Sequence, residues 1–269
     1  MLKLAGGIEM LKSWLMGSTV VPAAGCARSP AVPDAARAEL APTGKLRAGM
    51  NLGNTLFTQQ DTAGGELRGV AVDVVRELGA RLGVPVEHVV HGTPGEVADA
   101  AVNDTWDVAV LAIEQARAQT VHFSPPMTGI EATYLVHKDS ALRSVVQVDA
   151  SGVRISAPEK AGYELYLART LRQATLVRSK TTQASIDLFN ERRADALAGL
   201  KPMLIEWVGT MPDARMLEGN FMTVNHGLAS PRDRRAAADY LDAFVQDLNS
   251  SGFVARSIER HRVQGLSAV

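Results

Sequence analysis

Residues 107–126 read DVAVLAIEQARAQTVHFSPP, and this stretch decides the fold class of the chain. Its apolar run from Val108 to Ile113 predicts a buried strand, which leads directly into a short helical turn that carries Arg117. The start of a helical turn leaves backbone N–H groups without partners, and a guanidinium adds a fixed fork of donors beside them. The junction therefore predicts a receptor for a carboxylate.

The rest of the chain alternates between strands and helices in two successive series. The expected strands cover residues 46–50, 86–90, 107–113, 130–137, 153–157, 174–177, 194–200 and 221–229. The expected helices cover residues 71–82, 96–102, 163–171, 184–189, 204–208, 232–249 and 252–261. Two such series predict an α/β protein with two lobes, although one doubly wound sheet would have the same periodicity.

Composition excludes several classes of protein. A formal net charge of −1 argues against a surface for nucleic acid or for anionic membranes. A single cysteine excludes an internal disulfide framework and any zinc site built from cysteines. The six histidines are scattered without the spacing of a helical metal site, so we expect neither a metal nor another cofactor.

The amino terminus has the pattern of a targeting segment. Lys3 and Lys12 precede an apolar stretch, residues 14–24, that is too short to span a bilayer as a helix. Residues 23–26 read Ala-Ala-Gly-Cys and resemble a lipoprotein processing box, in which Cys26 would carry the lipid. Ordinary secretion with cleavage nearby is the alternative. We therefore expect a signal peptide over residues 1–26, and lipidation of Cys26 is one of the two outcomes.

Residues 27–44 are rich in Ala and Pro with mixed charges, which predicts a linker that tethers the folded part of the chain.

The stretch from Glu114 to Met127 resembles the signature of family 3 of the type II periplasmic solute-binding proteins. These proteins are the extracytoplasmic receptors of polar amino-acid ABC importers. In that family a strand of small residues meets a Thr-x-x-Arg turn and then a segment similar to Phe-Ser-x-Pro-Tyr. This chain keeps the arginine, as Arg117, and the segment that begins at Phe123, but it has Glu114 in place of the Thr and Met127 in place of the Tyr.

The resemblance implies a two-lobe periplasmic-binding-protein type II fold with two hinge crossovers, near residues 134–139 and 222–228. Its expected divisions are lobe I over residues 45–137, lobe II over residues 138–223, and a return to lobe I over residues 224–269. Each lobe should then have its own sheet rather than share one continuous sheet. The ligand would lie between the lobes, which close on it like a hinged trap.

The resemblance also implies ligand-binding residues in lobe I. Arg117 would pair with the carboxylate of the ligand, its alternative role being an ordinary ion pair on the surface. Ala112 matches a position whose backbone N–H grips the same carboxylate. Asn51 and Asn54 lie in a loop that contacts the ligand in amino-acid receptors, but they are equally suited to turns that cap their own backbone. Phe57 is expected in the wall of the cleft or in the core.

In lobe II the chain departs from the family. Ala161 stands where the family has a Ser or Thr whose hydroxyl closes over the ligand. Leu200 stands where amino-acid receptors have the aspartate that holds the α-ammonium group. A buried ammonium without a partner costs several kcal/mol, so Leu200 argues against a standard amino acid held in the usual pose.

The sequence therefore predicts a periplasmic or extracytoplasmic receptor rather than an enzyme. Its expected partners are a small carboxylate-bearing solute and the permease of an ABC importer, with membrane contact only through a lipid anchor, and we expect a monomer. Two alternatives remain at this stage. One is an enzyme similar to cyclohexadienyl dehydratase, which has the same fold and needs a general acid in the cleft. The other is a module that senses a solute for a membrane partner.

Overall fold

The computed structural model describes residues 31–62 and 64–269. The predicted signal peptide over residues 1–26, with Cys26, lies outside the described residues, as does the first part of the predicted linker. In the described part of the chain, no helix is long and apolar enough to cross a membrane.

Helices and strands alternate along the whole described chain, so the α/β class predicted from the sequence is confirmed. The first part contains α1 Asp34–Leu40, β1 Leu46–Asn51, β2 Gln59–Gln60, β3 Leu67–Arg68, α2 Val70–Leu82, β4 Val86–His91, α3 Pro94–Ala100, β5 Val108–Ala112, β6 Val121–Phe123 and β7 Thr128–His137. The second part contains β8 Arg154–Pro158, α4 Gly162–Thr170, β9 Thr175–Ser179, α5 Thr182–Asn190, β10 Ala196–Leu200, α6 Lys201–Val208, β11 Ala214–Met216, β12 Met222–Pro231, α7 Arg235–Ser250, α8 Phe253–Arg260 and β13 Ser267–Ala268.

The strands form two parallel sets that two long strands connect. In the first set β4, β1 and β5 are parallel neighbours, and in the second β10, β8 and β9 are parallel neighbours. We call these sets, with the helices that pack on them, lobe I and lobe II. Strands β7 and β12 run antiparallel between them, and the order is β4-β1-β5-β12-β7-β10-β8-β9.

The two lobes share one hydrogen-bonded sheet, which differs from the two separate sheets expected from the sequence. The reason is that the crossover strands pair with each other: β7 and β12 are bonded from the pair Met222–Ala132 to the pair His226–Thr128. Beyond this segment β7 pairs with β10 in lobe II, and β12 pairs with β5 in lobe I. The chain thus crosses between lobes twice, as predicted, but the first crossing comes before residues 134–139.

Local patterns explain why the central elements form. All five residues of β5 are buried, as expected of an apolar strand covered on both faces. Helix α2 presents one buried stripe to the sheet and ends at Gly83, whose φ of 68° is the left-handed conformation that glycine accepts readily. Helix α7 buries Tyr240, Leu241 and Phe244 on one face. These elements form most of the core of lobe I.

The part of the predicted linker that contains α1 is packed against lobe I, which differs from the tether expected from composition. Ala36 and Leu40 are fully buried. The Glu39 carboxylate accepts a 2.7 Å hydrogen bond from the backbone N–H of Ala237 in the first turn of α7. A carboxylate at a helix start is stabilised by the free N–H groups there. The Ala- and Pro-rich composition did not reveal this contact, because its two residues lie 198 positions apart in the chain.

Candidate functional site

Two of the cavities formed by the described residues lie beside the paired segment of β7 and β12. The larger, of about 920 Å³, lies on the side where β13 and α6 meet, and the carboxy-terminal residues line it. The other, of about 360 Å³, is lined by both lobes, with contributions from the carboxyl ends of β1, β5, β8 and β10. Ligands of α/β proteins bind at the carboxyl ends of parallel strands, where loops and helix starts converge. We therefore take the 360 Å³ cavity as the candidate site and call it the cleft cavity.

Six of the seven predicted site residues line the cleft cavity: Asn51, Asn54, Phe57, Ala112, Ala161 and Leu200. The seventh, Arg117, does not. Contact of any of them with a ligand stays a prediction.

Asn51 and Asn54 serve the turns of their own loop while they line the cavity. The Oδ1 atom of Asn51 accepts a 2.9 Å hydrogen bond from the N–H of Gly53, and the Oδ1 atom of Asn54 accepts a 3.2 Å bond from the N–H of Leu56. Sequence analysis considered this turn role and contact with a ligand equally suitable for the two asparagines. Because each carbonyl oxygen is used in this way, the amide NH₂ groups are the parts of these side chains free to bond a ligand.

Phe57, which was expected in the wall of the cleft or in the core, packs in the cavity wall against His226, which was not among the predicted site residues. Their ring centroids are 4.5 Å apart with an interplanar angle of 41°, and both residues are buried. Burial, followed by the positive charge of Arg117, lowers the pKa of His226 to about 3, so the imidazole is neutral at physiological pH. Among the described residues, the buried Nδ1 atom of His226 has no hydrogen-bond partner. A histidine next to a glycine in a predicted hinge strand was the only signal in the sequence for this residue.

The lobe II wall is formed by the start of α4. Ala161 is the N-cap of α4 and is 4% exposed, and no side chain caps the helix. Tyr163 in the first turn also lines the cavity, and burial raises the pKa of its hydroxyl, with a further contribution from the charge of Glu164. The phenol therefore stays protonated. An uncapped helix start leaves N–H donors available to an anion.

Another part of the cavity wall, at the end of β10, is apolar. Leu200 ends β10 and is 5% exposed, and Met203 and Val224 line the cavity beside it. A ligand group that faces this wall loses its water without gaining a charged partner.

Charged residues lie at the rim of the cavity rather than in its interior. Glu159 and Lys180 form an ion pair at 2.8 Å, and the Lys180 side chain is exposed. The Glu96 carboxylate accepts a 2.8 Å hydrogen bond from the N–H of Gly92 at the start of α3. Among the described residues that line the cavity, no other aspartate, glutamate, lysine or arginine occurs. The interior is therefore uncharged.

Arg117 lies behind the wall formed by Ala112 and is buried at 6% exposure. Its Nη1 atom donates to the carbonyl oxygen of Ala112 at 3.0 Å, and its Nη2 atom donates to the carbonyl oxygen of Lys160 at 2.6 Å. Burial lowers its pKa to about 10, partly offset by the charges of Glu114, Asp99 and Glu164, so it remains a cation at neutral pH. In this arrangement the arginine that was expected to hold the ligand bonds to the protein backbone, and its contact with a ligand stays a prediction.

Glu114, which stands where the family has a Thr, is buried rather than exposed to solvent. Its side chain is 3% exposed and pairs with Arg169 of α4 at 2.5 Å. Because Glu114 follows β5 in lobe I and Arg169 belongs to lobe II, this ion pair joins the two lobes. The carboxylate is stabilised by a partner that lies 55 residues away in the chain.

A metal centre has no counterpart in the described structure. Within residues 31–62 and 64–269, no three His, Cys, Asp or Glu side chains are grouped in a way that could hold a metal ion.

The comparisons with known proteins agree with this geometry. The family described as bacterial extracellular solute-binding proteins, family 3, matches residues 46–263. Comparison with curated proteins gave no match.

Solved structures of similar fold include a substrate-binding protein of an amino-acid ABC transporter from Streptococcus pneumoniae bound to L-arginine. It has 20% identity and a TM-score of 0.69, and the match covers 82% of this chain and 95% of that one. A solute receptor for L-cysteine from Neisseria gonorrhoeae has 17% identity and a TM-score of 0.71, with coverage of 83% and 92%. An ancestral amino-acid-binding protein described as a precursor of cyclohexadienyl dehydratase has 20% identity and a TM-score of 0.67, with coverage of 83% and 98%. At these identities the likeness shows the fold alone, and it confirms the two-lobe arrangement predicted from the sequence.

Proposed function

Because this chain belongs to the bacterial extracellular solute-binding proteins of family 3, we propose that it is the solute receptor of an ABC importer. In this proposal it captures a small carboxylate-bearing solute between its two lobes, outside the cytoplasmic membrane, and delivers it to a permease. The candidate ligands are an amino acid, an amino-acid-like compound or an organic acid. The observation that carries the proposal is a cavity of about 360 Å³ lined by both lobes.

Several features of the cavity suit a carboxylate. Helix α4 starts at the cavity without a side-chain cap, so its first N–H groups can donate to an anion. Helix α5 starts there as well, with Thr182 and Gln183 in the lining. None of these groups requires Arg117, whose Nη1 and Nη2 atoms each donate to a backbone carbonyl.

The interior favours a ligand whose body is uncharged. Leu200 provides no partner for an ammonium group, and the neutral side chains of His226 and Tyr163 provide only hydrogen bonds. A desolvated ammonium group without a partner costs several kcal/mol. We therefore propose that acids without a free ammonium group bind better than the matching amino acids.

We propose binding without chemistry. The two carboxylates that line the cavity are each engaged by the protein, Glu96 with the N–H of Gly92 and Glu159 with Lys180. A general acid must reach the reacting group of the substrate, and these carboxylates lie at the rim.

A thermal-shift experiment with matched pairs of compounds tests the proposal. The pairs are 4-methylpentanoate with L-leucine and 3-phenylpropanoate with L-phenylalanine, because the members of each pair differ only by the ammonium group. A ligand at a hundred times its Kd stabilises the folded protein by about 2.7 kcal/mol, which gives a measurable rise in Tm. 4-Methylpentanamide, which has no carboxylate, is the control.

We expect the acids to raise Tm and the amide to leave it unchanged. A larger shift with the amino acids would contradict the preference for an uncharged body. If neither these compounds nor a wider panel of carboxylates and amino acids shifts Tm, the receptor proposal itself is contradicted.

A further inference from the structure

We propose that His226 selects the ligand of the cleft cavity through a hydrogen bond to a hydroxyl group, and that the chain therefore binds 2-hydroxy carboxylic acids. His226 is then a specificity-determining residue. The inference rests on the proposed function, which it deepens by naming a class of ligand. It concerns a residue of the crossover strand β12 that was not among the predicted site residues.

The paired segment of β7 and β12 has one face toward each of the two cavities. Successive side chains of a strand point to opposite faces. Thr223 and Asn225 of β12 line the cavity of about 920 Å³, whereas Val224 and His226 line the cleft cavity. His226 therefore lies on the cleft side of the crossover, in the last residue pair that joins β12 to β7.

His226 has hydrogen-bonding capacity that the described residues leave unused. It is 5% exposed, and its Nδ1 atom has no hydrogen-bond partner within the described part of the chain. Its ring packs against that of Phe57, which offers neither a donor nor an acceptor in the plane of the imidazole. Buried polar side-chain atoms are usually hydrogen-bonded, and leaving one unpaired is costly. A ligand group that bonds the imidazole removes this cost.

A hydroxyl group suits this imidazole better than an ammonium group does. Because burial lowers the pKa of His226 to about 3, the imidazole is neutral, with one ring nitrogen as donor and the other as acceptor. A hydroxyl both donates and accepts, so it can pair with whichever nitrogen faces it. An ammonium group only donates, and it would bring a charge into a cavity whose carboxylates, Glu96 and Glu159, lie at the rim.

The register of the strands places the hydroxyl beside the carboxylate of the ligand. His226 is directly opposite Ala112 of β5. Ala112 in turn contacts the start of α4, since a Cβ atom built on Gly162 would lie 2.7 Å from the Cβ atom of Ala112. The uncapped start of α4 is the donor group that the proposed function assigns to the carboxylate. Cross-strand neighbours have Cβ atoms about 4.5–5.5 Å apart, so the imidazole meets the carbon next to the carboxylate.

Titration calorimetry with compounds that differ by one hydroxyl group tests the proposal. The compounds are the two enantiomers of 2-hydroxy-4-methylpentanoate and 4-methylpentanoate, added after any bound solute has been removed by unfolding, dialysis and refolding. We expect one enantiomer to bind about 10- to 100-fold more tightly than 4-methylpentanoate, because the acid without the hydroxyl leaves the imidazole unpaired. His226→Phe keeps a ring against Phe57 without either nitrogen, and it should abolish this difference.

Thr128→Val is the matched control. Thr128 is the cross-strand partner of His226 on β7, and it is also buried with an Oγ1 atom that has no partner among the described residues. Unlike His226, it is not one of the residues that line the cleft cavity. This substitution should leave the preference for the hydroxy acid unchanged. If His226→Phe does not fold, His226→Leu gives the second test, since it also removes both nitrogens.

Two results would overturn the proposal. One is a hydroxy acid that binds no more tightly than 4-methylpentanoate, or a preference that persists in the folded His226 variant. The other is a preference that Thr128→Val and His226→Phe abolish alike, which would assign it to packing of the crossover strands. If 4-methylpentanoate binds without any gain from the hydroxyl, this inference fails while the proposed function stands. If no carboxylate or amino acid binds, both fail.

Discussion

Replacement of Gly162 by alanine would add a Cβ atom at the close contact between Gly162 of lobe II and Ala112 of lobe I. It would not alter any charged or ligand-facing side chain. The new Cβ atom would lie 2.7 Å from the Cβ atom of Ala112, whereas ordinary van der Waals contact begins at 3.4 Å, so the segments must separate by 0.7 Å (3.4 − 2.7). Gly162 does not have a positive φ, and alanine is the best helix former, so the substitution does not strain α4 itself.

The substitution should shift the equilibrium between closed and open protein rather than lower the unfolding free energy of either lobe. Overpacking in a rigid core costs about 1–3 kcal/mol. Here the contact spans the crossover strands, so the lobes can relieve the clash by opening. A change of about 1–3 kcal/mol alters the ratio of closed to open protein by about 5- to 150-fold. The apparent Kd of a ligand that requires closure rises as the closed fraction falls.

The assay combines small-angle scattering of the ligand-free protein with titration calorimetry of 4-methylpentanoate. We expect Gly162→Ala to raise the radius of gyration and the apparent Kd while Tm changes little. Ala112→Gly in the same chain removes the opposing Cβ atom and should restore both quantities. An unchanged radius and Kd in Gly162→Ala, or a defect that Ala112→Gly does not relieve, would refute the reasoning.

Three further predictions concern single side chains. The folded pKa of His226 is about 3, below its ordinary value of 6.5, so its contribution to stability is present above pH 6.5 and is lost as the pH falls. His226→Asn should therefore reduce the pH dependence of the urea unfolding free energy by up to about 1.4 kcal/mol per pH unit between pH 6.5 and 3, and equal slopes would contradict this. Leu200→Asp should reverse the preference in thermal-shift assays toward L-leucine over 4-methylpentanoate, since the carboxylate can pair with the ammonium group; an unchanged preference would show that Leu200 does not face that group. Leu40→Ala should lower the unfolding free energy by about 2–5 kcal/mol in urea titrations, because Leu40 is fully buried, whereas a residue in a free tether would have no effect.

Much of the architecture follows from patterns within short segments. The apolar run of β5 and the single buried stripe of α7 are local features that specify a buried strand and a core-facing helix wherever they occur. The position of α1 shows the limit of such reasoning. Its composition resembles that of a linker, but Ala36 and Leu40 are fully buried and Glu39 accepts a hydrogen bond from the start of α7.

The candidate site likewise contains residues that sequence analysis identified and one that it did not. The family resemblance identified six positions that line the cleft cavity, at or after the ends of β1, β5, β8 and β10. In an α/β fold the carboxyl ends of parallel strands meet at one edge. The prediction did not include His226, because its neutral state comes from burial against Phe57 and from the charge of Arg117, which are distant in sequence.

The sequence by itself determined the α/β class and the presence of an arginine in the turn after β5, and its resemblance to a family implied the two crossings. Only the tertiary structure decided which way that arginine points. Its second acceptor, the carbonyl of Lys160, lies 43 residues further along the chain and belongs to the other lobe. Periodicity and spacing report on neighbours within a few residues, whereas the partners of a buried charge are set by how distant segments pack, since a buried cation takes whichever acceptors the closed fold places around it.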